Sequence, residues 1–180
     1  SRHGLYLLQS STRASPSRYR IYNASLFQYI EIPCPQKPSL CIALDFVFSV
    51  QAVKLLSVHE DHHQSLGYEI LSVGFAGNTY RWRPVEVQNI NECRNRKRDR
   101  IQVFFGRGSV AYCISWDNAD IGVDVFDMEN ESYIGHTNFP KGNFFPKLCT
   151  TNLLDWNGQL SFAEIVKDEL HVLVLEDHKK

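Results

Sequence analysis

Tyr19-Arg20-Ile21-Tyr22 is the stretch that decides the fold, because its pattern returns three more times along the chain. The first, third and fourth residues are apolar, and the second is polar or charged. The other copies are Tyr68-Glu69-Ile70-Leu71, Val123-Asp124-Val125-Phe126 and Leu170-His171-Val172-Leu173. Their spacing is about fifty residues, which is typical of the repeats of propeller proteins. A repeat of this length predicts one supersecondary unit that is used several times.

Further landmarks recur around the copies and extend the first three into units of three strands, whereas the fourth ends before its third strand. Gly4 and Gly108 precede their copies by the same distance, and each opens an apolar strand. Residues that favour extended structure alternate with turns rich in Asn, Asp, Gly and Ser, and helical signals are almost absent. The predicted preceding strands are Leu5–Gln9, Val110–Ser115 and Gln159–Ile165, and the predicted following strands begin near Tyr29, Tyr80 and Tyr133.

The repeat predicts an all-β protein, a partial kelch-like β-propeller of about three to four antiparallel blades. Residues 1–180 are expected to form a single domain cut from a longer chain at both ends, because the sequence stops directly after an apolar stretch. The alternative is a β-sandwich or barrel, since regularly spaced short strands suit either. The propeller is favoured because a sandwich gives no reason for hairpins at fixed offsets. Uncovered blade faces would make the isolated chain self-associate.

The composition argues against several classes of partner. Nineteen basic side chains against twenty acidic ones leave a net charge of −1, so no overall field attracts nucleic acid or an anionic membrane. No apolar run approaches the roughly 20 residues of a membrane-spanning helix. The five cysteines are scattered, without a Cys-x-x-Cys pair of metal-site spacing. This usage predicts reduced thiols in a cytoplasmic or nuclear protein that needs no cofactor.

Three stretches of the chain resemble the C-terminal half of plant F-box proteins, the F-box-associated, kelch-like interaction domain. The first is Tyr22 to Pro33, in which an Asn-containing turn leads to a strand that ends in proline. The second is Val125 to Tyr133, an apolar strand followed by an acidic turn. The third runs from Asn157 to His178, and it departs from the family in having Leu173 where members usually have tryptophan.

The resemblance implies a protein-binding function. In such proteins an N-terminal F-box binds the Skp1 adaptor of a cullin ubiquitin ligase, and the propeller-like half captures the target protein. The chain has no F-box-like helical segment, so the resemblance implies the substrate-recognition module of an SCF-type ligase, with Skp1 and cullin reached only through an F-box outside these residues. A kelch-type scaffold or a sugar-binding module unrelated to ubiquitination would share the fold and stays open as an alternative.

His59-Glu60-Asp61-His62-His63 matches the His-Glu-x-x-His pattern of zinc hydrolases. That chemistry needs a helix, because a helical turn aims both histidines at one metal and leaves the glutamate as the base. The stretch instead follows the apolar run Val53–Val58 and precedes a turn at Ser65–Gly67, which predicts a loop between strands. A metal-dependent hydrolase using His59, Glu60 and His63 is therefore the less favoured alternative. The protein is not expected to be an enzyme, and no catalytic, metal or cofactor residue is assigned.

Two cationic stretches provide the candidate partner contacts. Arg94 to Arg100 contains five cations. Such a cluster can serve nuclear import, nucleic-acid contact or capture of an acidic partner segment, but a solvated loop kept extended by its own repulsion is the favoured interpretation. The cluster has no interleaved aromatic residue on which bases could stack. Arg81-Trp82-Arg83 has the residue types of binding hot spots, although aromatic residues also fill the space between sheets. The candidate contacts are Arg81, Trp82, Arg83, Arg94, Arg96, Lys97, Arg98 and Arg100.

Overall fold

A computed structural model of the chain describes residues 3–12, 15–61, 65–74, 80–87, 100–116, 121–138, 152–157 and 159–175. Within these residues the protein consists of β-strands with one 3-10 turn at Arg107–Ser109, and no α-helix occurs there. The strands form four open antiparallel sheets, and each sheet joins strands that follow one another along the chain. The all-β prediction is therefore confirmed.

The first sheet contains β1 (Leu5–Thr12), β2 (Ser15–Asn23) and β3 (Gln28–Ile32). The second sheet contains β4 (Ser39–Val47), β5 (Ala52–Glu60), β6 (Leu66–Gly74) and β7 (Arg83–Val85). The third sheet contains β8 (Arg100–Phe105), β9 (Val110–Trp116), β10 (Ile121–Asp127) and β11 (Ser132–Asn138). The fourth sheet contains β12 (Asn152–Trp156), β13 (Gln159–Val166) and β14 (Glu169–Val174).

All four copies of the repeated pattern are strands, as predicted, and they lie in β2, β6, β10 and β14. Each copy lies on the second strand of a hairpin. The first residue of the copy has an equivalent partner in each hairpin, since Tyr68 pairs with Val58 and Leu170 pairs with Ile165. Gly4 and Gly108 share a left-handed φ, of +70° and +69°, which a glycine adopts without strain. The strand predicted near Tyr80 begins later, at Arg83.

Each copy has two faces, because successive side chains of a strand point to opposite sides of the sheet. The odd face of a sheet carries the first and third residues of its copy, such as Tyr19 and Ile21. The even face carries the second and fourth residues, such as Arg20 and Tyr22. The residues that pair with these across the hairpin lie on the same face, so the two names apply to the whole sheet.

The chain divides into two compact units. Unit 1 comprises Ser1–Arg96 and Met128–Tyr133, and unit 2 comprises Lys97–Asp127 and Ile134–Lys180. The prediction of one domain over all 180 residues stays a prediction. Each unit has its own apolar core between a pair of sheets.

In unit 1 the odd face of the first sheet packs against the even face of the second. Tyr19 and Ile21 meet Leu55 and Leu71 in one buried cluster, which Trp82 completes from the segment before β7. Both leucines have no solvent-accessible surface. This burial of aliphatic and aromatic area holds the two sheets together.

In unit 2 the odd face of the third sheet packs against the even face of the fourth. Val123 and Val125 lie in a buried cluster with Phe162, and Leu173 packs against its margin. The fourth copy departs from the predicted equivalence in one respect. Leu170 is 63% exposed, whereas its counterparts Tyr19, Tyr68 and Val123 are buried, because the odd face of the fourth sheet is turned to solvent.

Packing in the second sheet leaves no room for a side chain at Gly67. This residue pairs with His59 across β5 and β6, and a β-carbon added there would overlap the His59 imidazole. His59 is only 3% exposed, so its ring has little freedom to withdraw. Gly74, at the end of the same strand, has open space around it.

We therefore expect Gly67→Ala to lower the free energy of unfolding by about 2 kcal/mol, the usual cost of overpacking a core. Urea denaturation of the full chain, followed by circular dichroism, measures the loss. Gly74→Ala is the matched control and should change the unfolding free energy by less than about 0.5 kcal/mol. Equal effects of the two substitutions would contradict the close contact between Gly67 and His59.

Candidate functional site

The segment before β1 lies beside the β2–β3 turn at one end of unit 1. The register places Leu5, Asn23 and Gln28 side by side, so the start of β1 and the β2–β3 turn lie at the same end of the first sheet. The Ala24 amide donates a hydrogen bond of 2.9 Å to the Gly4 carbonyl, which fixes the turn to the segment before β1. Sequence-distant residues are thus brought together at this end.

His3 connects this end of the first sheet to the β4–β5 turn of the second. Its imidazole meets the Phe48 ring edge to face, with ring centres 5.0 Å apart. Its Nε2 lies 3.8 Å from a carboxylate oxygen of Asp45. Phe48 also packs edge to face on Phe46, at 4.8 Å. The β2–β3 and β4–β5 turns therefore border one continuous area.

This area is unusually apolar for a set of turns. Leu26 is 62% exposed, Phe27 is 83% exposed, Phe48 is 65% exposed and Val50 is 42% exposed. We call these four residues, together with His3, the turn surface. Turns are normally built from Gly, Pro, Asn, Asp and Ser, and exposed apolar groups that cluster are a feature of interaction sites. The turn surface is accordingly the candidate binding site of unit 1.

Both turns have a defined local backbone geometry. The Asn23 side-chain oxygen accepts hydrogen bonds from the amides of Ser25 and Leu26, at 3.0 and 3.3 Å, which closes the β2–β3 turn. Phe27 and Gln51 end their four-residue turns with a left-handed φ, of +53° and +49°. A phenylalanine in this region is uncommon, and such local strain is often found at functional positions.

The predicted contact residues Arg81, Trp82 and Arg83 lie in different environments. Arg81 is exposed, and Arg83 forms an ion pair with Glu131. Trp82 is only 2% exposed and belongs to the core between the first two sheets, which is the packing role considered as its alternative. Its indole N–H donates a hydrogen bond of 2.8 Å to the Pro33 carbonyl.

Most of the predicted basic cluster falls outside the described residues, namely Arg94, Arg96, Lys97 and Arg98. Arg100 is described, and it is the first residue of β8 rather than part of a loop. Its guanidinium lies 5.2 Å from the centre of the Trp116 ring and donates a hydrogen bond of 3.2 Å to the Gln102 side chain. These contacts give Arg100 a role in the third sheet.

A buried charge cluster lies in unit 1 around Glu131, at the end of the β10–β11 turn. The Glu131 carboxylate accepts hydrogen bonds from Lys54 and Ser72 and forms ion pairs with Lys54 and Arg83. Burial by itself would raise the pKa of Glu131, but these hydrogen bonds and the two cations outweigh it, so the pKa lies below its ordinary value. The carboxylate is therefore ionised in the folded protein at neutral pH.

The His-Glu-x-x-His stretch begins on a strand, whereas a loop was predicted for it. His59 and Glu60 are the last two residues of β5, so their side chains point to opposite faces of the sheet, whereas His63 falls outside the described residues. Burial lowers the pKa of His59, the Lys37 charge lowers it further and Asp61 opposes the shift. Across the part of the chain that the structure describes, no three His, Cys, Asp or Glu side chains are grouped to hold a metal ion.

The third sheet brings together the residue types of a hydrolytic triad. The Asp124 carboxylate lies 2.9 Å from His136 Nδ1, and Ser115 lies beside Gly122 on the neighbouring strand. However, His136 Nε2 lies 3.1 Å from the side-chain oxygen of Asn138. A nucleophilic serine would have to donate its proton to that nitrogen. The arrangement therefore resembles a cross-strand hydrogen-bond network more than a catalytic site.

No protein-family model matches this chain, and neither does any curated protein. Among the described residues, no helix is long and apolar enough to span a membrane.

Proposed function

We propose that the chain is a kelch-like propeller segment that binds another protein through the turn surface, as the substrate-recognition module of an SCF-type ubiquitin ligase. Antiparallel sheets of three or four consecutive strands, repeated along the chain, are the building blocks of propeller blades and support the fold part of this proposal. The resemblance to F-box-associated domains supports the ligase part. A cytoplasmic or nuclear location fits both parts.

The observation that carries the binding part is the exposure of four large apolar side chains on adjoining turns. Phe27 and Phe48 expose most of their area, and Arg81 is exposed on the segment that leads into β7. Aromatic and arginine side chains supply most of the energy at protein interfaces, and loops on a rigid sheet scaffold are the usual place for them. No comparable feature of the described residues favours a sugar or a metal as the ligand.

We expect Phe48→Ser combined with Val50→Ser to weaken capture of the target protein about 30-fold or more, because loss of one hot-spot side chain removes about 2 kcal/mol. The endogenous gene is tagged, and proteins recovered with the wild type and with the variant are compared by quantitative mass spectrometry.

Leu40→Ser is the matched control. Leu40 is 54% exposed and lies at the other end of β4 from Phe48, so capture should be unchanged. A partner recovered equally with all three proteins would contradict binding through the turn surface. Recovery without Skp1 or cullin would contradict the ligase role and leave the binding role standing.

A further inference from the structure

The two sheets of each unit pack against each other in the same way. In unit 1 the odd face around Tyr19 covers the even face around Leu71, and in unit 2 the odd face around Val123 covers the even face around Phe162. In both cases a sheet uses its odd face to cover the even face of the sheet that follows it in the chain. An uncovered odd face and an uncovered even face are therefore complementary surfaces.

The even face of the first sheet is uncovered. Tyr6, Tyr22 and Tyr29 form one row across its three strands, and Leu8 lies beside them. Tyr6 is 44% exposed and Tyr29 is 56% exposed. In the third sheet the pair equivalent to Tyr6 and Tyr22 is Ala111 and Phe126, and neither has any accessible surface. The row of tyrosines thus occupies a position that the same repeat buries elsewhere.

The odd face of the fourth sheet is exposed at the β13–β14 turn and along β12. Ile165 and Leu170 pair across β13 and β14 and are 73% and 63% exposed. The equivalent pair in the second sheet is Val58 and Tyr68, which are 0% and 3% exposed. Leu154 and Trp156 on β12 extend this apolar surface. Exposed apolar area of this extent is typical of an interface.

Two charged residues on the even face of the first sheet, Arg20 and Glu31, compensate each other. Arg20 and Glu31 form an ion pair of 2.7 Å, and the Arg20 guanidinium lies 4.7 Å from the centre of the Tyr29 ring. Covering this face would therefore bury a paired cation and carboxylate rather than a lone charge, which avoids the main penalty of burying charge. The tyrosine rings supply large apolar area, and their hydroxyl groups can stay at the wet rim.

We propose that the even face of the first sheet of one copy of this chain binds the odd face of the fourth sheet of a second copy. The second copy is the occupant because the described residues of unit 1 expose an even face and those of unit 2 expose an odd face, which are the two kinds of face that pair inside both units. The two surfaces differ, so the contact is head to tail and each bound pair still has one free face of each kind. Assembly therefore continues beyond the dimer into a ring or an open chain. This interaction is separate from the turn surface and does not depend on the proposed function.

Sedimentation velocity of the full chain at increasing concentration tests the proposal. We expect the wild type to form species larger than a dimer. Tyr6→Lys with Tyr29→Lys disables one face, and Ile165→Lys with Leu170→Lys disables the other. Each double variant should stay monomeric, with its dissociation constant raised at least about 100-fold, because each lost apolar contact is worth about a factor of ten or more.

Mixing the two double variants gives the decisive result. Each retains the face that the other lacks, so the mixture should form one-to-one dimers and nothing larger, which also shows that both variants are folded. Phe48→Lys, on the turn surface, is the control and should assemble like the wild type. A monomeric wild type, assembly that survives in either double variant, or a mixture that stays monomeric would each overturn the proposal.

Discussion

Trp82→Ala should lower the free energy of unfolding by about 4 kcal/mol, the largest effect of any single substitution considered for unit 1. The indole is buried in the core shared by the first and second sheets, so alanine would leave a cavity there. The substitution would also leave the Pro33 carbonyl without the hydrogen bond that it accepts from the indole N–H. Urea denaturation of the full chain measures the loss, and hydrogen exchange of amides in β2 and β5 locates it in unit 1.

Trp82→Phe separates the two contributions, because it keeps an aromatic ring and removes the donor. We expect about half of the loss, because phenylalanine fills only part of the space of the indole and cannot donate the hydrogen bond to Pro33, which is worth about 1 kcal/mol. Arg81→Ala is the neighbouring control, and this exposed position should change the stability by less than about 0.5 kcal/mol. A loss of under about 1 kcal/mol for Trp82→Ala would show that the indole does not hold the two sheets together.

Glu131→Gln should cost about 3 kcal/mol at neutral pH, because it leaves Lys54 and Arg83 without their counter-charge in a largely buried site. Folding lowers the pKa of Glu131, so the unfolded chain binds the proton more readily. The stabilisation is therefore complete above the unfolded-state value of about 4.3 and is lost as the pH falls through the lower folded-state pKa.

Urea denaturation of the wild type and the variant at several pH values, from neutrality to about one unit below the unfolded-state pKa, measures how the unfolding free energy depends on pH. The two proteins should differ most near neutrality and converge in acid. Glu60→Gln is the control, since Glu60 is an exposed acid of the same unit, and it should change the unfolding free energy by less than about 0.5 kcal/mol. A difference that stays constant down to the lowest pH would contradict the ionised carboxylate.

The sequence was sufficient to predict the four hairpins but not the strand that precedes the hairpin in the second, third and fourth sheets. The copies at Tyr68 and Val123 could be recognised because their alternation is regular and each lies between turn residues. β4 and β12 carry no repeated signature, and β8 begins with Arg100, the last cation of a cluster that reads as a loop. Edge strands of this kind are defined by pairing to a neighbour, which local composition does not record.

The candidate site was harder to predict from sequence than the fold. Phe27 and Phe48 are apolar residues in turns, so composition alone would assign them to strands, and their proximity depends on the contact of His3 with the β4–β5 turn. Trp82 suits both a binding surface and a core by its residue type, and its position between two sheets decides for the packing role. The exposure of Leu170 could not be foreseen either, because its sequence environment matches that of the buried copies.

The strictly sequential order of strands within every sheet has a consequence for how the protein forms. Each strand pairs with the one made just before or just after it, so the loops to be closed are short and the entropy lost in closing them is small. Low contact order of this kind speeds folding. We expect each sheet to form soon after its last strand leaves the ribosome. Its apolar faces then stay exposed only until the next sheet has formed, and not until the whole chain has been made.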